Sequence, residues 1–124
     1  MSQVEAQARV LHSAKRITEA VELLRVVLAA RLKHQGERHF QTIDARSCLA
    51  RSLRAIHQYE ECFSLYSKNI RIHRDKLGPE HPQTLRSLSR LANTYFAARR
   101  YQDARIMFED ILARRVEVLG RDHQ

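Results

Sequence analysis

The sequence predicts an all-α solenoid of three stacked helix-turn-helix units, on three observations. A motif returns every 42 residues, the apolar positions inside each copy are spaced by three and four, and the 124 residues contain only three Gly and two Pro from which long loops could be made. The period is plainest in the loops. Gln35-Gly36-Glu37-Arg38-His39-Phe40-Gln41-Thr42 matches Leu77-Gly78-Pro79-Glu80-His81-Pro82-Gln83-Thr84, and then Leu119-Gly120-Arg121-Asp122-His123-Gln124. Other columns keep the same register: Ala8, Ala50 and Ala92; Leu11, Leu53 and Tyr95; Ala20, Cys62 and Ala104; Leu24, Tyr66 and Phe108. The units are therefore 1–42, 43–84 and 85–124, in one repeat domain. A chain of this size buries roughly two-thirds of its unfolded surface, enough for a core.

The first unit is the most divergent, with Gln7 where the others have Leu49 and Leu91, and Ile17 where they have Tyr59 and Tyr101. A terminal helix of a stack faces water, which explains the drift. Its two helices are expected to part after residue 16. In the second unit Leu49, Ala50 and Leu53 mark one amphipathic helix and Tyr59, Cys62, Phe63, Tyr66 and Ile70 the next, parted near Ala55-Ile56-His57-Gln58. Gly78 stands where a C-cap is expected, and Pro82 suits the first turn of the following helix. In the third unit the break falls near Ala97-Ala98-Arg99-Arg100, and Gly120 opens a third glycine loop. The small residues of the Ala8 and Ala20 columns let paired helices approach closely. The loop histidines His39, His81 and His123 suit helix capping; lying on successive units, they are poorly placed to share a metal.

These motifs resemble the tetratricopeptide repeat family, and more narrowly its long-repeat kind, seen in kinesin light chains and in the sensor regions of some signalling ATPases. The resemblance covers essentially the whole chain. It rests on Leu77-Gly78-Pro79-Glu80-His81-Pro82-Gln83-Thr84-Leu85, Leu91-Ala92-Asn93-Thr94-Tyr95 and Arg100-Tyr101-Gln102-Asp103-Ala104. It implies a right-handed superhelix whose first helices line a concave face, and a role in binding protein. Kinesin light chains tend to carry paired asparagines ahead of the first helix's Leu-Ala, where this chain has Ser47-Cys48 and Ser89-Arg90, so cargo specificity does not carry over.

The net charge of +8 is not spread evenly. The first-helix segments 1–16, 43–58 and 85–100 hold ten Lys or Arg against the two acids Glu5 and Asp44, whereas the remainder is balanced. The expected groove is therefore basic. Ser47, Arg51 and Arg54 share a helix face, with Glu5, Arg9 and His12 one period before and Ser89, Asn93 and Phe96 one period after. Arg86 lies on the same helix as the last set. Guanidinium groups bind carboxylates in bidentate fashion, the amide of Asn93 both donates and accepts, and Phe96 offers an apolar pocket for an anchor, although a Phe beside Tyr95 is more often a packing residue. The expected partner is an acidic peptide or protein segment.

At the other end, the last helix carries Met107, Phe108, Ile111, Leu112 and Val118 with no following helix to cover them. Either the chain is a segment of a longer array or it pairs with a second copy through Phe108, Ile111 and Leu112. Catalysis is not indicated: there is no HExxH, phosphate-cradling loop or GxSxG, and Glu60-Glu61 and Glu109-Asp110 read as solvated helix positions. No cofactor or metal is called for, since Cys48 and Cys62 form no CxxC pair. An RNA-binding helical repeat is the weakest alternative, because most of the eight Phe and Tyr fall on packing columns rather than on a stacking platform. No apolar run approaches the ~20 residues of a membrane span, and the first residues, with Glu5, Arg9 and His12, do not form a secretory signal. A cytoplasmic location is the expectation.

Overall fold

The computed structural model describes the backbone of residues 2–122 and the side chains of residues 13–121. Five helices account for the described residues: α1 Ser2–Gln35, α2 Phe40–Ala55, α3 Tyr59–Leu77, α4 Pro82–Ala97 and α5 Tyr101–Asp122. They divide into two compact units, Met1–Gln58 and Tyr59–Gln124.

In the first unit α2 packs on α1. The expected break after residue 16 is absent, and α1 runs through it as one helix of 34 residues. Ser13-Ala14-Lys15-Arg16 contains no Gly or Pro, and Ala, Lys and Arg are good helix formers, so only tertiary packing could reward a break there. Those four residues are exposed. Among the residues whose side chains are described, Ile17 is the first that is not exposed, and Val21 is buried with Ala20, Leu24 and Leu28 half-buried along the same stripe. The loop to α2 closes as the glycine column predicts. Gly36 takes φ +86°, in the left-handed region, and its N–H donates to the Leu32 carbonyl at 3.1 Å. His39 is the N-cap of α2, its Nδ1 accepting from the Gln41 N–H at 3.1 Å. Arg46, only 1% exposed, donates from Nη1 to the Glu37 carbonyl at 3.0 Å and so clasps the loop from below. Burial pushes its pKa down, and the nearby Glu37 charge pulls it partly back up.

In the second unit α4 packs against both α3 and α5. Cys62 Sγ lies 3.7 Å from Thr94 Oγ1, the Phe63 and Tyr95 rings are 4.5 Å apart, and His73 Nδ1 lies 2.7 Å from Ser87 Oγ. The Arg100 guanidinium sits over both rings, 5.4 Å from Phe63 and 5.0 Å from Tyr95, and is held by Asp103 at 3.0 Å. Ala92 and Ala104, the small columns, are buried, as close helix approach requires. Gly78 takes φ +97° and donates to the Arg74 carbonyl at 2.9 Å, while its own carbonyl accepts from Thr84 Oγ1 at 2.8 Å. His81 repeats the cap of His39, with Nδ1 accepting from Gln83 N–H at 3.1 Å, and Pro82 follows in the first turn. Arg114 donates to the Pro79 carbonyl at 3.1 Å and Arg121 pairs with Glu80, so α5 holds this loop from its far end.

Two details depart from expectation. The third glycine does not cap a helix: α5 continues through Gly120 to Asp122. Ile111, expected among the uncovered residues of the last helix, is 3% exposed, because its side of α5 is the one turned to α4. His123 lies outside the described residues.

Candidate protein-binding site

The two breaks between helices place the first-helix faces. His57 and Arg99, one period apart, adopt φ +64° and +66°, and the N–H groups that follow them, Gln58 and Arg100, both donate at 2.9 Å to carbonyls of the helix just ended, Leu53 and Tyr95. These left-handed residues turn the chain sharply without glycine.

On α2, the predicted residues separate by depth. Arg51 is exposed, with Nη2 3.8 Å from Cys48 Sγ; Arg54 is half-buried; Ser47 is buried and lines no open face. The three residues lie on one side of α2 by their spacing, but the edge of that side toward Ala50 sinks into the core. Arg46, counted among the cations of the groove, is likewise withdrawn. Arg9 and His12 lie outside the residues whose side chains are described.

On α4, the predicted set stands together in the open. Arg86, Asn93 and Phe96 are exposed and Ser89 is half-buried, all within one helix face. The helix contains no Asp or Glu. Phe96, 59% exposed, meets the Tyr101 ring edge-on at 5.1 Å. Beside it a depression of about 480 Å³ is walled by Phe96, Tyr101, Ala104, Phe108 and Leu112, with Arg105 and Glu109 at its rim. A second depression of about 360 Å³ brings Arg86 and Ser89 together with Arg115, over Pro82, Leu85, Val118 and Leu119, with the Glu80 carboxylate, paired to Arg121, also on its wall. Arg115 Nη2 reaches Ser89 Oγ at 3.4 Å. Sequence reasoning missed Arg115 and Tyr101. The signal existed in the repeat columns, since Arg115 stands one period after His73, which already bonds a serine of the neighbouring helix.

Of the residues expected at a self-association surface, Phe108 and Leu112 are exposed and Ile111 is not. Among the described residues no His, Cys, Asp or Glu group is arranged to hold a metal, and no helix is long and apolar enough to cross a membrane.

Paired amphipathic helices with small residues at the crossings, glycine-closed loops and an exposed polar first-helix face define a helical repeat protein of the kind that binds other proteins. The tetratricopeptide repeat model matches residues 41–117, and the chain belongs to that family. Two solved structures of a Podosopora anserina protein assigned as a kinesin light chain, with nearly identical TPR-like repeats, one a single-substitution variant, match closely. They give 30% and 31% identity, cover 91% and 90% of this chain, and have TM-scores of 0.75 and 0.74. BtubC from P. vanneervenii, at 17% identity over 83% of this chain and a TM-score of 0.74, shares the fold. The chain spans about half the length of the first two, 53% of each, and 41% of the third. No curated protein matches it significantly. Tetratricopeptide repeats are in general scaffolds for protein–protein interaction.

Proposed function

We propose that this chain is a cytoplasmic interaction scaffold whose basic first-helix faces take an acidic peptide or protein segment. The observation that carries the proposal is the α4 face: Arg86, Ser89, Asn93 and Phe96 stand exposed or half-exposed in one row, with Arg115 beside them and no carboxylate on the helix. Arginines so placed offer fixed donors to carboxylates, and the Phe96 depression accepts an apolar anchor between them. Arg51 and Arg54 supply the same chemistry on α2, where Asp44 is the only acid. This is the family's scaffold role given a charge preference.

The test is fluorescence anisotropy with a labelled glutamate-rich peptide. Wild-type affinity falls as salt rises, because exposed pairs are screened over about 10 Å at 0.1 M. Arg51→Glu with Arg54→Glu, and separately Arg86→Glu, weaken binding at least tenfold while the far-UV circular dichroism stays unchanged. Undiminished binding by folded variants removes the proposal.

A further inference from the structure

Two helix caps in this chain are histidines. His39 and His81, one period apart, are the N-caps of α2 and α4. Both take extended backbone, φ −71° and −65° with ψ 141°, and both accept at Nδ1 from the N–H two residues on, Gln41 and Gln83, at 3.1 Å. Ser, Thr, Asp and Asn are the common caps, and in their capping form none changes charge between about pH 5 and 8. Imidazole does.

An Nδ1 that accepts a hydrogen bond carries no proton, so each ring is neutral with its hydrogen on Nε2. Adding a proton at Nδ1 sets N–H against N–H and places a cation at the positive end of the helix dipole. The cap does not survive that change. Nor do the neighbouring charges hold an imidazolium in place. Around His39 stand Glu37 and Arg38 in the loop, Arg31 on α1, which donates to the Gln41 side chain at 3.2 Å, and Arg46 on α2, which holds the Glu37 carbonyl. Around His81 stand Glu80, already paired with Arg121 of α5, Arg114 at the Pro79 carbonyl, and His73 and Lys76 on α3. Cations outnumber acids in both sets. Both rings are half-buried and free to leave, and Phe40, which stacks on His39 at 4.7 Å, is itself 71% exposed.

We propose that His39 and His81 are proton-operated latches: neutral, they cap α2 and α4; protonated, they swing out and release the first turn of each helix. The first turn of α4 leads into Leu85 and Arg86, so its release reaches a wall of the candidate site. That consequence rests on the acidic-ligand reading; the latch itself does not. The two units also differ usefully. The column of His73 holds Arg31 in the first unit, so there the cap is read without a second histidine bonded across the helix pair.

The test is a titration of the isotopically labelled 124-residue chain from about pH 8 to about pH 5, across the ordinary imidazole range, followed by nuclear magnetic resonance. At the alkaline end the ring nitrogens of His39 and His81 report hydrogen on Nε2. On acidification the Gln41 amide shifts with the His39 ring and the Gln83 amide with the His81 ring, each pair sharing one midpoint. His39→Asn with His81→Asn supplies an acceptor that takes no proton, and holds both amide shifts constant. Over the same range the wild-type urea midpoint falls by roughly 0.5–1 M more than that of the Asn variant. Rings with hydrogen on Nδ1 at the alkaline end, amides that do not follow their rings, or an Asn variant as acid-sensitive as the wild type each overturn the proposal. No peptide enters the experiment, so its outcome is independent of the acidic-ligand proposal.

Discussion

Replacing each loop glycine with alanine gives opposite signs at positions that are equivalent in the repeat. Gly78 holds φ +97°, and an added Cβ would meet nothing within 4 Å, so no neighbouring atom has to move. The cost of Gly78→Ala is therefore one of backbone conformation alone. The left-handed region costs an L-residue about 1–2 kcal/mol, and the reduced freedom of the unfolded chain returns about 0.4–1 kcal/mol of it. A net loss of about 1 kcal/mol follows, with the same sign for Gly36→Ala at φ +86°. Gly120 lies inside α5, and also has nothing within 4 Å of an added Cβ. There alanine is the better helix former by about 0.5–1 kcal/mol, so Gly120→Ala stabilises. Urea unfolding followed at 222 nm measures all three, and the 1 kcal/mol changes correspond to shifts of a few degrees in Tm. If Gly120→Ala destabilises as much as Gly78→Ala, the third loop closes like the others and the continuous α5 is wrong.

Arg99→Gly relieves a left-handed arginine at φ +66° and raises stability by about 0.5–1 kcal/mol in the same urea experiment; a loss would show that the side chain holds the turn. Leu53, wholly buried, loses about 2–5 kcal/mol on change to alanine, read from the urea midpoint. His73 has its pKa lowered, first by burial and then by the charges of Arg90, His81 and Lys76. Its folded form resists protonation that the unfolded chain accepts, so its contribution is complete above about pH 6.5 and is lost as pH falls from there through the folded pKa. His73→Gln accordingly flattens the fall of stability below pH 6.5, and an unchanged slope contradicts the burial argument.

The helices from α2 to α5 were legible because repeated columns place their apolar faces and because glycine and proline mark the Gly78 loop twice over. The continuity of α1 was not. A break is made by packing at the elbow, as Arg100 does with Phe63, Tyr95 and Asp103, and the sequence at 13–16 lacks any stop signal without announcing that the packing is absent too. The candidate face was legible in angle but not in depth. Ser47 and Ser89 share a column, yet one is buried and the other half-exposed. Counting charges treated every arginine as free to meet a ligand, whereas Arg46 is enclosed by the Glu37 loop and Arg100 is engaged with two rings. Phe96 was recognised as a choice between core and pocket, and its spacing alone could not foretell that it stands 59% exposed against the edge of Tyr101.

The central claim, that the first-helix faces hold an acidic ligand, is tested most directly by mapping amide chemical shifts while an unlabelled glutamate-rich peptide is added to isotopically labelled protein. The account predicts saturating perturbations at Arg86, Ser89, Asn93 and Phe96 on α4, and at Arg51 on α2, that vanish at high salt. Saturating shifts confined to the second helices, or none at peptide concentrations that drive binding by anisotropy, would contradict it.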